Sequence, residues 1–283
     1  MGSRETRLAK LSAVVVLFLF SVTPFLVKST AVDPYLYTVV RSVVAAAVIA
    51  LIIRRIPKPS WDRYNVICVM SAAVSNLCFI AACRYTDVSS AVAVTYSWPM
   101  LVPIIGWLCF RTKTKRRDLV LLGIGILGLA LIFAEQWSKP LTFDLGKMMA
   151  LGSGVTFGIY VCANSKVRGG AEMAFYASVA SAILGVLAFA CFGKQDGLDS
   201  WDWSAMALNG VANGVVMLFF NYSLAHWNAS AVTVVVSAEL AVSPMWAILF
   251  LRERPSSFVI AGIAIMLLTM FAALIRPETK ESS

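Results

Sequence analysis

Long apolar runs separated by short polar segments make up almost the whole chain. Windows of roughly 20 apolar residues, read as crossings of a hydrocarbon layer about 30 Å thick, predict ten membrane-spanning helices. Transmembrane β-barrels are excluded because their strands alternate in runs of about ten residues, whereas residues 119–133 and 258–275 are almost continuously apolar. The predicted fold class is an all-α polytopic membrane protein, with spans at 9–28, 34–53, 64–84, 90–110, 118–134, 146–165, 171–192, 205–225, 230–251 and 257–275.

The ninth span carries two residues that a lipid-facing helix would not hold without reason. Glu239 lies near its middle and Pro244 follows five residues later. A carboxyl group there costs on the order of 3 kcal/mol to insert, and the proline leaves one backbone carbonyl without its helical donor. Both are tolerated where a helix lines a cavity. We therefore expect this span to face a central cavity.

The chain also contains a weak internal repeat. Ser90–Val92 is repeated 140 positions later as Ser230–Val232, and 140 is about half the chain length. Because five spans per half is an odd number, the second half must enter the membrane from the opposite side. The prediction is two inverted five-helix repeats, residues 1–135 and 136–283, around a shared cavity. This arrangement is common among secondary transporters.

Composition and charge agree with a membrane location. Hydrophobic residues make up 59% of the chain and charged residues only 14%, whereas soluble proteins carry about 25% charged residues. The net charge of +9 could indicate nucleic acid, but its distribution explains it otherwise. With the N-terminus inside, 16 basic residues fall on cytoplasmic segments and 7 on external ones. The positive-inside rule then predicts both termini in the cytoplasm and no nucleic-acid partner.

Arg41 is the one basic residue inside a span. It lies roughly 10 Å from the external end of the second helix, by the rise of an α-helix. Arginine can extend its charged group over that distance to reach water. We therefore favour a structural role for Arg41, with its charged group reaching the membrane surface, over a functional role, which stays open.

Polar and aromatic residues cluster on helices 1, 3, 4, 6, 8 and 9, which are predicted to enclose the cavity, with the bland helices 5 and 10 at the periphery. Aromatic walls suit a partly apolar solute, and amides can orient its polar end. Any one of these residues is better explained by core packing, but the set is expected to include true contacts. The candidate contacts are Asn76, Phe79, Tyr96, Trp98, Tyr160, Asn213, Asn221 and Glu239. The candidate kink or gating residues are Pro24, Pro99, Pro103 and Pro244.

No motif of a soluble enzyme occurs in the chain: there is no Walker loop, no GxSxG and no HExxH. The six cysteines lie in or near spans without CxxC spacing, which favours neither a disulfide framework nor a metal site. No metal, cofactor or obligate protein partner is expected. A membrane-embedded enzyme and a passive channel stay open as alternatives to a transporter.

The residues from Pro244 to Arg254, PMWAILFLRER, followed by Gly262 and aliphatic residues, resemble the closing segment of EamA-type domains in the drug/metabolite transporter superfamily. The first half departs from that pattern, with Arg111-Thr112-Lys113 where a Gly-Glu turn is usual. Within the superfamily, the aromatic fourth span is similar to bacterial aromatic amino acid exporters. The resemblance implies a multi-pass transporter of the bacterial cytoplasmic membrane that exports small amphipathic metabolites, in particular aromatic amino acids, by alternating access. Proton coupling through Glu239 and facilitated movement both stay open.

Overall fold

Helices form nearly all of the described structure, and no strand occurs within it. The computed structural model describes residues 3–57, 62–110, 116–134, 144–164, 167, 170–227, 232, 235–236 and 238–274. Within these ranges the helices are α1 (Ser3–Lys28), α2 (Pro34–Ile53), α3 (Arg63–Tyr85), α4 (Val88–Thr95), α5 (Trp98–Phe110), α6 (Arg116–Ala134), α7 (Leu145–Asn164), α8 (Gly170–Phe192), α9 (Ser200–His226), α10 (Glu239–Trp246) and α11 (Ser257–Leu274).

Helical segments occupy the described part of every predicted span. Six helices, α1, α2, α3, α7, α8 and α9, are long and apolar enough to cross a bilayer. The apolar stretches of α6, α10 and α11 are shorter in the described residues. The all-helical membrane class is therefore confirmed, and the number of ten crossings stays a prediction.

Aspartates define where several helices begin. Asp33 caps α2 by accepting hydrogen bonds from the backbone N–H groups of Tyr35 and Leu36 at 2.8 and 3.3 Å. Asp199 and Asp202 form a reciprocal capping box at the start of α9. Such caps satisfy backbone donors that the first turn leaves unpaired. These starts are thus encoded locally in the sequence.

The fourth predicted span is not one helix. It breaks after α4 at Tyr96 and Ser97, and α5 begins at Trp98. Proline at position 99 has no N–H to donate to the Thr95 carbonyl, and its ring disfavours helical backbone at the residue before it. The break places Tyr96 and Trp98 at the middle of the bundle, and both are buried.

The ninth predicted span is irregular in the same region of the bundle. Pro244 lies inside α10, and the chain widens into a single π-helical turn at Ala247–Leu251. Arg252 then ends the helix in the left-handed backbone region, with φ of 55°. Widened turns of this kind often mark functional sites in helices.

The helix pairs that pack together are consistent with two equivalent halves. Exchanging α1 with α7, α2 with α8, α3 with α9, the α4–α5 pair with α10, and α6 with α11 maps the most extensively packed pairs onto one another. The α1–α9 contact becomes α3–α7, α2–α9 becomes α3–α8, and α2–α8 and α6–α11 map onto themselves. The packing thus has the exchange symmetry expected of a repeat, although inversion across a membrane stays a prediction.

Glycine allows α7 to approach the break closely. A Cβ atom on Gly154 would lie 2.7 Å from the Ser97 hydroxyl and 2.8 Å from the Thr95 carbonyl oxygen. We expect Gly154→Ala to reduce the free energy of unfolding by about 1–3 kcal/mol, the usual cost of overpacking. Gly123→Ala on α6 is the matched control, because its Cβ would meet nothing within 4 Å. The control should be neutral or stabilising, and thermal unfolding of the purified variants compares the two.

Candidate functional site

A central cavity of about 100 Å³ lies where the two halves meet. Seven of the eight predicted contact residues line it: Asn76, Phe79, Tyr96, Trp98, Tyr160, Asn213 and Glu239. Asn221 does not; its amide nitrogen donates to the Met217 carbonyl of its own helix at 2.8 Å, and its side chain also interacts with Tyr160. The structure thus brings most of the candidates together, whereas their role as solute contacts stays a proposal.

The predicted set of cavity helices was too small. Besides the expected helices, α2 contributes Arg41 and α8 contributes small residues at helical spacing, Ala174, Ala177, Ser178 and Ser181. No lining residue comes from the described parts of α6 or α11. We overlooked α8 because its lining side chains carry no aromatic or amide group. The spacing of three and four between its small residues was the available signal.

The prediction that Arg41 extends to the membrane surface was wrong. Its side chain is only 2% exposed and lines the cavity. Nε donates to the Asn209 amide oxygen at 3.0 Å, and one terminal nitrogen donates to the Asn213 oxygen at 2.9 Å. The other terminal nitrogen donates to the Asn76 oxygen. Three amide oxygens from α3 and α9 accept three of the five guanidinium N–H groups inside the bundle, in place of water at the surface.

The asparagines around Arg41 are themselves held in place. The Asn209 amide donates to the Tyr37 hydroxyl at 2.9 Å and accepts from Thr23 at 3.2 Å. The Asn76 amide donates to the Ser42 hydroxyl at 3.3 Å. Because guanidinium is a donor only, each amide oxygen must face it and each amide nitrogen must face elsewhere. The orientation of the cluster is therefore determined by chemistry as well as by packing.

A second network of hydrogen bonds is centred on Glu239, which lines the cavity. The Tyr96 hydroxyl donates to one carboxyl oxygen of Glu239, and the Ser243 hydroxyl lies 3.4 Å from the other. Ser243 also donates to the Ser21 carbonyl at 3.2 Å, and the Trp246 indole donates to the Ser21 hydroxyl at 3.1 Å. Glu239 is 2% exposed. This network joins the α4–α5 break, α10 and α1 around one buried carboxyl group.

Aromatic rings form the remaining wall. Trp98 packs edge-on against Phe157 at 5.1 Å, and Phe157 packs against Tyr160 at 5.3 Å between ring centroids. Such pairs favour tilted or edge-to-face geometry. Phe157 was not predicted, although it lies three residues before Tyr160 on the same face of α7.

The candidate prolines lie at different kinds of position. Pro24 is within α1, where its missing N–H leaves the carbonyl of Phe20, a cavity residue, without a helical donor. Pro99 follows the α4–α5 break, and Pro244 is within α10. The side chain of Pro103 lies outside the described residues. A gating role for any of them stays a prediction.

Hydrogen bonds connect helix ends and turns at the end of the bundle where α1 and α3 end. The Lys28 ammonium group donates to the Thr86 carbonyl at 2.8 Å, and the Arg84 guanidinium donates to the Thr30 carbonyl at 2.9 Å. The Val88 N–H donates to the Glu253 carboxyl group at 3.0 Å. Burial raises the pKa of Glu253 above its ordinary value. These contacts join α1, α3 and the segment after α10 around the turn between α3 and α4, at the end that charge predicts to be external.

Among the described residues, no group of three or more His, Cys, Asp or Glu side chains is placed to hold a metal ion. Cys68, Cys78, Cys83 and Cys191 are free thiols.

A family model of EamA-like transporters matches the chain twice, over residues 7–134 and 144–275. The chain belongs to the EamA-like transporter family. An uncharacterized transporter, YxxF, of Bacillus subtilis (strain 168) is 23% identical over 234 residues, covering 78% of this chain and 73% of that protein. A solved crystal structure superposes with a TM-score of 0.68 at 17% identity, covering 94% of this chain and 98% of the other, and it shows the same fold.

Membership of the EamA-like family identifies the chain as a multi-pass membrane transporter, as the resemblance of its final segment implied. It favours transport over catalysis as the role of the central cavity. The cavity residues of α1, α2, α3 and the α4–α5 break come from the first matched region, and the others come from the second. Solute bound there would touch both matched regions.

Proposed function

We propose that the protein exports small amphipathic metabolites, most specifically amino acids with a preference for aromatic ones, by alternating access. The observation that carries the proposal is a single cavity with an aromatic wall between a buried guanidinium group and a buried carboxyl group. An amino acid has the matching parts: a carboxylate, an ammonium group and, in the preferred substrates, an aromatic side chain. Apolar walls with a few placed polar groups are typical of small-molecule sites.

Alternating access requires a closed barrier on one side of the site at a time. In the proposed mechanism, the contacts of Lys28, Arg84 and Glu253 at one end of the bundle serve as this barrier. These contacts lie in turns and helix ends, where rearrangement costs few core contacts. The barrier would open when the two halves rock against each other around the cavity.

The transport claim is tested with purified protein in liposomes loaded with labelled phenylalanine, tryptophan or threonine, with and without an imposed pH gradient. We expect protein-dependent efflux, faster for the aromatic pair, and acceleration by unlabelled amino acid on the opposite side. Absence of flux for every amino acid would remove the substrate claim. Flux without acceleration from the opposite side would indicate a passive channel instead of a carrier.

We further propose that the protein lies in the bacterial cytoplasmic membrane with both termini inside. In a cysteine-free background, Gly197→Cys should react with an impermeant thiol reagent added to intact cells, because residues 193–199 form the predicted external turn between α8 and α9. Thr114→Cys, which lies outside the described residues, should react only after the cells are opened. External labelling at position 114 would contradict the orientation and the inverted repeat together.

A further inference from the structure

We infer that Arg41 and Asn213 form the subsite that binds an anionic carboxylate group of the solute. The inference deepens the proposed function and rests on the cavity being the solute site. Nothing in the family membership assigns a residue to this role. Arg41 and Asn213 have N–H donors without a described acceptor, Arg41 has no described carboxylate partner, and both residues line the cavity.

Arg41 has more N–H donors than the described residues accept. A guanidinium group has five N–H donors in a planar fork and no acceptor. Arg41 donates from Nε and from each terminal nitrogen once, to three asparagine oxygens. Two N–H groups therefore have no hydrogen-bond acceptor within the described residues, and Arg41 is part of the cavity wall. Two donors of one fork match the two oxygens of a carboxylate.

Asn213 supplies a further donor at the same place. Its oxygen faces Arg41 at 2.9 Å, so its amide nitrogen points away from the guanidinium group. The corresponding nitrogens of Asn209 and Asn76 donate to Tyr37 and Ser42. No acceptor for the Asn213 nitrogen occurs among the described residues, although Asn213 is 5% exposed and lines the cavity. An anion beside Arg41 would satisfy this nitrogen too.

The buried Arg41 guanidinium group has no opposite charge beside it among the described residues. The acceptors around Arg41 are neutral amides, and no described carboxylate pairs with it. Arg55, just beyond the same helix, is in contrast paired with Glu172 at 3.4 Å on the exposed surface. A buried charge is normally paired with an opposite charge. The unpaired guanidinium group thus leaves a position for an anion that comes from outside the protein.

The repeat shows that this charge is specific to one half. At the offset of 140 residues, Arg41 corresponds to Ser181 on α8, and Glu239 corresponds to Pro99. Each half therefore contributes one charged group that the other half lacks, and both line the cavity. A single carboxylate of charge −1 matches Arg41, whereas a dianionic phosphate ester would also meet repulsion from an ionised Glu239. The charges that line the cavity therefore favour a monocarboxylate.

The test uses four probes and purified full-length protein in lipid nanodiscs. Affinities are measured by calorimetry for L-phenylalanine, L-phenylalaninamide, 3-phenylpropionate and phenyl phosphate. Wild-type protein should bind phenylalanine about tenfold to hundredfold more tightly than its amide, as loss of a charge-assisted hydrogen bond implies. Equal affinity for the two, or tightest binding of phenyl phosphate, would overturn the inference without any variant.

Variants then assign the effect to Arg41. Arg41→Gln should reduce phenylalanine binding to the level of the amide and leave amide binding unchanged, and Arg41→Lys should give an intermediate value. Arg55→Gln is the control, because it removes an exposed arginine, and it should change nothing. Equal loss for both probes in Arg41→Gln would show a structural role only. If this variant does not fold, the wild-type probe series decides.

The probe 3-phenylpropionate separates this inference from the proposed function. It has the carboxylate but no ammonium group. If phenylalanine does not bind but 3-phenylpropionate binds wild type and not Arg41→Gln, the amino acid proposal fails and the carboxylate subsite stands. If neither carboxylate probe binds wild-type protein, the subsite is refuted.

Discussion

Glu239→Gln should lower the rate of amino acid flux about tenfold to hundredfold while the protein keeps its fold. The carboxyl group is the only acidic side chain that lines the cavity in the described residues. Its loss removes either a charge-assisted hydrogen bond to an ammonium group or the site of a transported proton. A charge-assisted hydrogen bond contributes about 1.5–3 kcal/mol, which corresponds to that range of rates.

The fold should survive because both partners of Glu239 are hydroxyl groups, on Tyr96 and Ser243. A hydroxyl group can donate or accept, so the glutamine amide finds a partner on either side. A purely structural role for Glu239 would therefore leave flux close to that of wild type. Glu172→Gln, at the exposed start of α8, is the control and should be neutral.

The liposome assay with and without a pH gradient distinguishes a proton-carrying role of Glu239 from a solute-binding role. If the gradient accelerates wild-type protein but not Glu239→Gln, the carboxyl group carries the coupling proton. If the gradient has no effect on wild type and the variant is slow, Glu239 binds the solute in a facilitated carrier. Wild-type flux in Glu239→Gln would exclude both roles.

Asn209→Ala should cause the largest loss of stability, about 2–4.5 kcal/mol, because it removes one hydrogen bond to a charged group, about 1.5–3 kcal/mol, and at least one neutral hydrogen bond, about 0.5–1.5 kcal/mol. Asn209 is fully buried and accepts from Arg41 and Thr23 while it donates to Tyr37. Its removal leaves the Arg41 Nε group without its described acceptor and the Tyr37 hydroxyl without its amide donor, although that hydroxyl still donates to the Ala205 carbonyl at 3.4 Å. The loss corresponds to about 4–18 °C in the midpoint of thermal unfolding.

Asn221→Ala on the same helix is the matched control. Asn221 is half-buried, and its amide donates to a carbonyl of its own helix. Its loss should cost less than about 1 kcal/mol, close to the value of an ordinary hydrogen bond. Equal losses of stability for the two variants would mean that the Arg41 cluster contributes nothing beyond single hydrogen bonds. Thermal unfolding in detergent gives the comparison.

Local features explain what sequence could predict about the candidate site. Glu239, Asn76 and Asn213 were found because a polar side chain in an apolar helix is costly and needs a compensating environment. Tyr96 and Trp98 were found because aromatic residues cluster with Pro99 in one span. In each case the residue type at a single position in an apolar span indicated a cavity residue. Seven of the eight candidate contacts line the cavity for this reason.

The misses arose where the signal depended on residues far apart in the chain. Arg41 could be compensated by water at the surface or by acceptors inside, and its acceptors lie 35 to 172 positions away on α3 and α9. Asn221, like Asn213, is an amide side chain in an apolar helix, but its amide nitrogen donates to a carbonyl of its own helix. The small residues of α8 have no aromatic or amide group, and only their helical spacing distinguishes them in the sequence.

The amino-acid sequence by itself determined the helical membrane class, most helix bounds and the transporter family, because apolar periods, proline positions, aspartate caps and the closing segment of α10 and α11 are local properties. Only the tertiary structure decided that α2 and α8 line the cavity and that Arg41 lies inside. These features depend on which helices pack together. Burial of a charged group is favourable only where several distant side chains supply its hydrogen-bond partners at once.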